Sequence, residues 1–279
     1  MNQNDTGNNN VDTAEESPTV LSFCSGYGGI ERGLELAGFK HRTIAYVEIE
    51  AYAIANLANK MEKRQLLPAP IWSNLKTLPV EPFRDKVDLI TGGYPCQPFS
   101  AAGERKGDKD PRHLWPFIRK HIEAIRPVQC FFENVEGHIS LGLKEVISDL
   151  ESLGYVCAWG IFSACEVGAP HQRKRVYILA DSNGVRCDRR ELSDRVGERS
   201  VEIEAQQRPE QPVVRSKVKG CGGKTRKSHW EIEPRVGRVV DGCADRVDRI
   251  RALGNAVVPQ TAAKAWVTLN LRLNTTEGR

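Results

Sequence analysis

The chain has 279 residues, with 40 Lys and Arg against 36 Asp and Glu, and its net charge of +4 is too small to name a partner. That length suits one large domain or a core domain with a smaller companion, and with neither a signal peptide nor an apolar run able to cross a membrane the chain is expected to be soluble and cytoplasmic. Its eight cysteines form no CxxC pair, which disfavours a zinc ribbon or a thioredoxin-like site.

Residues 1–17 are polar and Asn-rich, and are expected to form a disordered tail. Thr19 to Cys24 reads as a strand that meets the glycine turn Ser25-Gly26-Tyr27-Gly28-Gly29, and Ile30, Leu34 and Ala37 then show helical spacing. A second strand, Arg42 to Val47, ends in Glu48-Ile49-Glu50 and leads to an alanine-rich helix through Ala58. Ile71 to Leu75 is a weak third strand, and Val87 to Thr91 a fourth. A helix over Leu114 to Ile125 precedes a strand over Val128 to Phe132. The spacing gives one helix over Ile139 to Leu153, and strands over Tyr155 to Ala164 and Val176 to Ala180 follow. The alternation predicts an α/β fold with a doubly wound, mostly parallel sheet.

Residues 184–247 break this pattern and are rich in Arg, Gly, Gln and Pro. His171 to Arg251 carries a net charge of +7 and the rest of the chain −3, and Val213 to Lys227 holds six basic residues and no acidic one. This fits a polyanion partner as well as a solvated loop. Residues 18–183 are therefore read as the main domain, 184–247 as an insertion, and 248–279, with a helix from about Gln260 to Leu271, as a segment that packs back on the main domain.

Four stretches carry chemistry. In Gly92-Gly93-Tyr94-Pro95-Cys96-Gln97-Pro98-Phe99-Ser100, prolines flank a thiol just beyond a strand, where open α/β sheets place their reactive groups. A thiol activated as thiolate would be a nucleophile, whereas most cysteines are small buried hydrophobes. Gly26, Gly28 and Gly29 lack the third glycine of a dinucleotide fingerprint, since position 31 is Glu. Glu48, 22 residues beyond Gly26 at the next strand end, suits the ribose hydroxyls of a nucleoside-bearing cofactor. Glu133-Asn134-Val135 follows an apolar strand, so Glu133 could hold a proton for substrate or simply cap a helix. His171, Arg173 and Arg175 alternate ahead of Val176 to Leu179 and would share a strand face, two arginines there suiting carbonyl oxygens or phosphates.

Together GGYPCQPFS, FFENVEG, GAPHQRKRVYILA and LGNAVVPQ, in this order after the glycine turn, resemble the C5-cytosine-specific DNA methyltransferases of bacterial and phage type over residues 19–180 and 246–270. The resemblance implies a Rossmann-like fold that binds S-adenosyl-L-methionine through Phe23, Ser25, Gly26, Gly28, Gly29 and Ile30, through Glu48, Ile49, Asn74, Leu75 and Pro95, and through Asn255, Ala256 and Val257. It implies catalysis by Cys96, Glu133, Arg175 and Arg173, with no metal, and target recognition by residues 184–247. Cys96 would add at C6 of a flipped-out cytosine while Glu133 stabilises N3 and the exocyclic amine. Arg175, with Arg173 nearby, would hold O2, and Ala101 to Arg112 could close over the base. Asn134 and Asn255 would support these groups. Ser22, Cys24, Asn74 and His171 depart from the family, which often has Asp, Phe, Asp and Gln there. The expected partner is double-stranded DNA and the expected state a monomer. A tRNA cytosine methyltransferase, an inactive binding homologue and, further off, a nicotinamide oxidoreductase are the competing readings.

Overall fold

The computed structural model describes residues 17–95, 114–182 and 254–276. Cys96, the stretch Ala101 to Arg112, most of the N-terminal tail and residues 184–247 lie outside the described residues.

Among the described residues, seven strands form one sheet: β1 (Thr19–Phe23), β2 (Arg42–Val47), β3 (Ile71–Trp72), β4 (Leu89–Gly92), β5 (Gln129–Val135), β6 (Val156–Phe162) and β7 (Arg175–Asp181). Their order is β3-β2-β1-β4-β5-β7-β6. The first five are parallel, with Val20 opposite Leu89 and Leu89 opposite Gln129. β7 runs antiparallel between β5 and β6, pairing Glu133 with Tyr177 and Val135 with Arg175. The chain winds outward from β1 through β2 and β3, then crosses back to β4, so the switch point of this doubly wound sheet lies between β1 and β4. Open α/β sheets place ligands in the crevice at that point, beyond the carboxyl ends of the strands.

The strands are apolar almost throughout because both faces are covered. Leu21, Phe23, Ile90, Cys130, Phe132 and Ile178 face one side, under α3 (Trp115–Ile125) and α5 (Leu143–Ser152). Val20, Leu89, Phe131, Tyr177 and Leu179 face the other, under α1 (Gly29–Leu36) and α6 (Pro259–Thr276). The last helix thus completes the core of the first strands, with Ala262, Ala265, Trp266 and Leu269 buried on the same face as Ile30 and Leu34. Gly33 makes the close approach of α1 and α6 possible, since a Cβ there would lie 2.6 Å from that of Ala262 and 2.8 Å from the Pro259 carbonyl oxygen.

Several elements differ from their sequence expectation. The helix α2 (Ala51–Glu62) runs past Ala58 for another turn. The third strand is only Ile71–Trp72, because the Asn74 side chain accepts from the Lys76 amide at 3.0 Å and starts a 3₁₀ turn, Leu75–Thr77. The expected helix from Ile139 to Leu153 is two, α4 (His138–Leu141) and α5, broken where Gly142 adopts an extended φ and lies against the His138 ring. β5 continues through Val135, so Glu133 and Asn134 are strand residues and Glu133 caps no helix. β7 starts only at Arg175, and Arg173 has a positive φ of 33°. His171, Arg173 and Arg175 therefore do not share a strand face.

Candidate active site

β1 leaves the sheet through a left-handed turn. Cys24 has φ 46°, Gly26 53° and Gly28 70°, values natural for glycine and strained for cysteine. Across this turn stands Glu48, buried at the end of β2. Its Oε2 accepts from the Gly26 amide at 2.6 Å, and its Oε1 accepts from the amides of Ile49 at 2.8 Å and Glu50 at 2.9 Å. A carboxylate has about four lone-pair sites, so capacity for a further donor remains chiefly at Oε2. Glu48 both fixes the glycine turn and presents a pre-oriented acceptor.

Gly26 and Glu48 line a cavity of about 850 Å³ at the carboxyl end of the sheet. Ile49, Asn74, Leu75, Pro95 and Asn255 line it too, and so do Glu133, Asn134 and Arg175. Expected cofactor and catalytic groups thus share one crevice. Cys24 and Tyr27 of the glycine turn also contribute to its wall, as do Tyr52, Lys76 and Leu114, which were not read from the sequence. Burial, with the Glu48 carboxylate near, pushes the Cys24 thiol up to about 12, so it is a neutral wall group.

The remaining expected cofactor residues serve the crevice from behind. Phe23 is wholly buried in the core and Ile30 nearly so. The Ser25 hydroxyl donates to the Ser22 carbonyl at 3.0 Å and accepts from the Val47 amide at 3.2 Å, tying the turn to β2. A Cβ at Gly28 would lie 2.7 Å from Leu66, and one at Gly29 would lie 2.8 Å from the Val257 side chain. These two glycines allow close packing. Ala256 and Val257 are absent from the cavity lining.

Glu133 is the buried acid of the site. Burial raises its carboxyl from the ordinary 4.5 to about 7, against the pull of the Arg175 and Arg173 guanidiniums. Arg175 Nε lies 2.9 Å from Glu133 Oε1. The other oxygen, Oε2, lies 3.5 Å from where a Cβ on Gly93 would stand, so that glycine leaves it unobstructed beside the turn after β4. Arg175 comes within reach because β7 is antiparallel, which brings its amino end to the carboxyl end of β5. Arg173 does different work. Its Nη2 donates to the Gly254 carbonyl at 2.8 Å and also to that of Ala256, so it holds the C-terminal segment carrying Asn255 at the cavity.

The turn beyond β4 is anchored by Asn134, an expected support, and by His138, which the sequence did not mark. Asn134 Nδ2 donates to the Tyr94 carbonyl at 3.1 Å, and the Tyr94 hydroxyl lies 3.0 Å from His138 Nε2. The sequence signal for His138 was its place directly after FFENVEG. Among the described residues there is no group of His, Cys, Asp and Glu that could hold a metal ion, and no helix long and apolar enough to cross a membrane.

A sequence model of the C-5 cytosine-specific DNA methylase family matches residues 19–233. The Type II methyltransferase M.NaeI of Lentzea aerocolonigenes is 32% identical over 173 residues, covering 60% of this chain and 41% of the relative. M.NgoMIV of Neisseria gonorrhoeae is 32% identical, covering 59% and 52%, and M.PspPI of a Psychrobacter species is 34% identical over 183 residues, covering 62% and 40%. The chain therefore spans about half the length of these relatives or less. Among solved structures, the Dnmt2 methyltransferase of S. pombe superposes with a TM-score of 0.51 at 27% identity, over 60% of this chain and 51% of that one. A DNMT2 mutant of Spodoptera frugiperda gives 0.52 at 23% identity, over 61% and 51%, a likeness of fold. The glycine turn, the strand-end Glu48 and the Glu133–Arg175 pair lie within the matched span, and the chain belongs to the C-5 cytosine-specific DNA methylase family.

Proposed function

We propose that this protein methylates C5 of cytosine in double-stranded DNA, with S-adenosylmethionine as donor. The observation that carries the reading is the buried Glu133 carboxyl, paired with Arg175 at the wall of the crevice that Glu48 and Gly26 also line, in a chain of this family.

The residues present fit the donor. The crevice lies within the roughly 300–1,000 Å³ of ligand pockets. A Cβ on Gly26 would meet nothing within 4 Å, so its backbone is open to a ligand. Glu48 Oε2 would accept from a ribose hydroxyl, and Asn74, Leu75 and Ile49 would flank the base. When bound, S-adenosylmethionine supplies an electrophilic methyl group.

Cytosine C5 is a poor nucleophile until the ring is made enamine-like. The base must leave the duplex to be reached from above and below. Glu133, near half-protonated at neutral pH, holds a proton at Oε2 for cytosine N3, while Oε1 stays on Arg175. With N3 protonated, C6 becomes electrophilic and the Cys96 thiolate adds there, forming the S–C6 bond. C5 then takes the methyl group, leaving S-adenosylhomocysteine, a base removes the C5 proton, the S–C6 bond breaks to restore the thiolate, and N3 returns its proton to Glu133. Arg175 keeps the carboxyl in place, and Arg173 keeps the Gly254–Ala256 strap against the crevice. Residues 184–247, with their acid-free basic stretch, supply target recognition.

The test is methyl transfer from labelled S-adenosylmethionine to random-sequence duplex DNA, by wild type and by Cys96→Ser. Wild type should transfer methyl groups to C5. The serine variant should lose several orders of magnitude, because a serine hydroxyl is far less ionised at neutral pH. Full turnover by Cys96→Ser, or transfer to tRNA and not to duplex DNA, would sink the reading.

A further inference from the structure

Tyr94 and His138 are a buried polar pair that the mechanism above leaves unused. Tyr94 is 3% exposed and His138 1%. The Tyr94 hydroxyl stands 3.0 Å from His138 Nε2, and the two rings meet edge to face with centroids 5.6 Å apart. The Tyr94 ring also packs against Trp115 and Phe132, at 5.5 and 5.7 Å. At its other end the Tyr94 carbonyl accepts from Asn134 Nδ2, whose own Oδ1 accepts from the Val135 amide at 2.9 Å. The residue that leaves β4 is therefore fixed at its backbone by β5 and at its side chain by α4. Pro95 follows at once, with φ fixed by its ring.

His138 is well placed to be such a peg. Its ring is clamped by Gly142, where a Cβ would lie 2.9 Å from Cε1, and its Nδ1 has no partner among the described residues. Burying that unpaired nitrogen is costly, and an apolar side chain there would avoid the cost. A polar group kept at such a position suits alignment better than stability.

We propose that the Tyr94–His138 hydrogen bond is a positioning contact for the nucleophile turn: it sets where the chain leaves β4 two residues before Cys96, and so governs the rate of covalent addition. The proposal rests on the cytosine reading above.

The experiment uses the full chain with S-adenosylmethionine and random-sequence duplex DNA made with 5-fluorocytosine in place of cytosine, on which the adduct cannot resolve because fluorine takes the place of the departing proton. Tyr94→Phe should slow adduct formation on this DNA, and kcat on the same duplex made with ordinary cytosine, about five- to tenfold, the worth of one net hydrogen bond, while S-adenosylmethionine affinity and the KM for the cytosine duplex stay within about twofold. The double variant Tyr94→Phe with His138→Leu removes both polar partners, so it should regain the melting temperature that Tyr94→Phe loses, and it should stay slow. A wild-type adduct rate in Tyr94→Phe overturns the proposal, as does a double variant in which rate and melting temperature recover together. A wild-type chain that forms no adduct overturns the cytosine reading itself.

Discussion

At Glu133, burial and charge pull in opposite directions. Desolvation favours the neutral acid, Arg175 and Arg173 favour the carboxylate, and the balance leaves the carboxyl at about 7 instead of 4.5. Because the folded-state value lies above the unfolded one, the protonated acid favours the folded chain. That contribution is whole below about pH 4.5 and is lost as the pH rises through about 7, on the order of 3 kcal/mol between the limits. Denaturant titrations at about pH 5 and pH 8 should show wild type losing stability relative to Glu133→Gln over this window. A difference that does not change with pH would mean that the acid titrates at its ordinary value. The same variant should lose methyl transfer by about a hundredfold or more, since an amide has no proton to give to N3.

At the scale of elements, the site depends on helices meeting more closely than side chains allow. Gly33 sits inside α1, where Ala would be the better helix former by about 1 kcal/mol. Against that, a Cβ there would press into Ala262 and the Pro259 carbonyl, both on the first turn of α6. Backbone cannot yield as a flexible side chain can, and overpacking costs about 1–3 kcal/mol, so the clash outweighs the propensity. Gly33→Ala should therefore melt lower than wild type, by roughly 2–4 °C for each kcal/mol lost. It should also weaken S-adenosylmethionine binding in calorimetry, because α6 continues the strap whose Asn255 lines the crevice. A variant that melts higher would show that α6 shifts without strain.

At the scale of the molecule, the proposed function puts chemistry and recognition in different parts of the chain. The crevice is built at the ends of β1, β2, β4, β5 and β7 and from the C-terminal strap, whereas the basic stretch Val213 to Lys227 lies within residues 184–247. Neutralising Lys217, Lys219, Lys224, Arg226 and Lys227 should weaken DNA binding and leave S-adenosylmethionine affinity intact. The slope of log K against log salt should fall by about 0.9 for each phosphate that the variant no longer neutralises. Unchanged binding across the salt titration would reduce the stretch to a solvated loop.

What the sequence determined by itself was the alternation of strands and helices, the sheet class and the residues with chemical potential. These are local properties: apolar runs, glycine turns and polar residues placed where strands end. Glu48 was legible because its distance from Gly26 is one strand–helix–strand step, and Glu133 because a carboxylate in an apolar run is conspicuous. The direction of β7 was not legible, since an apolar strand reads the same whether its neighbour is parallel or antiparallel. Only the tertiary structure decided it, and with it the ion pair of Arg175 with Glu133 and the separate duty of Arg173 as a clasp on the C-terminal strap. The Tyr94–His138 contact was hidden for the same reason: 44 residues separate the pair, and nothing links them until folding brings β4 and α4 together.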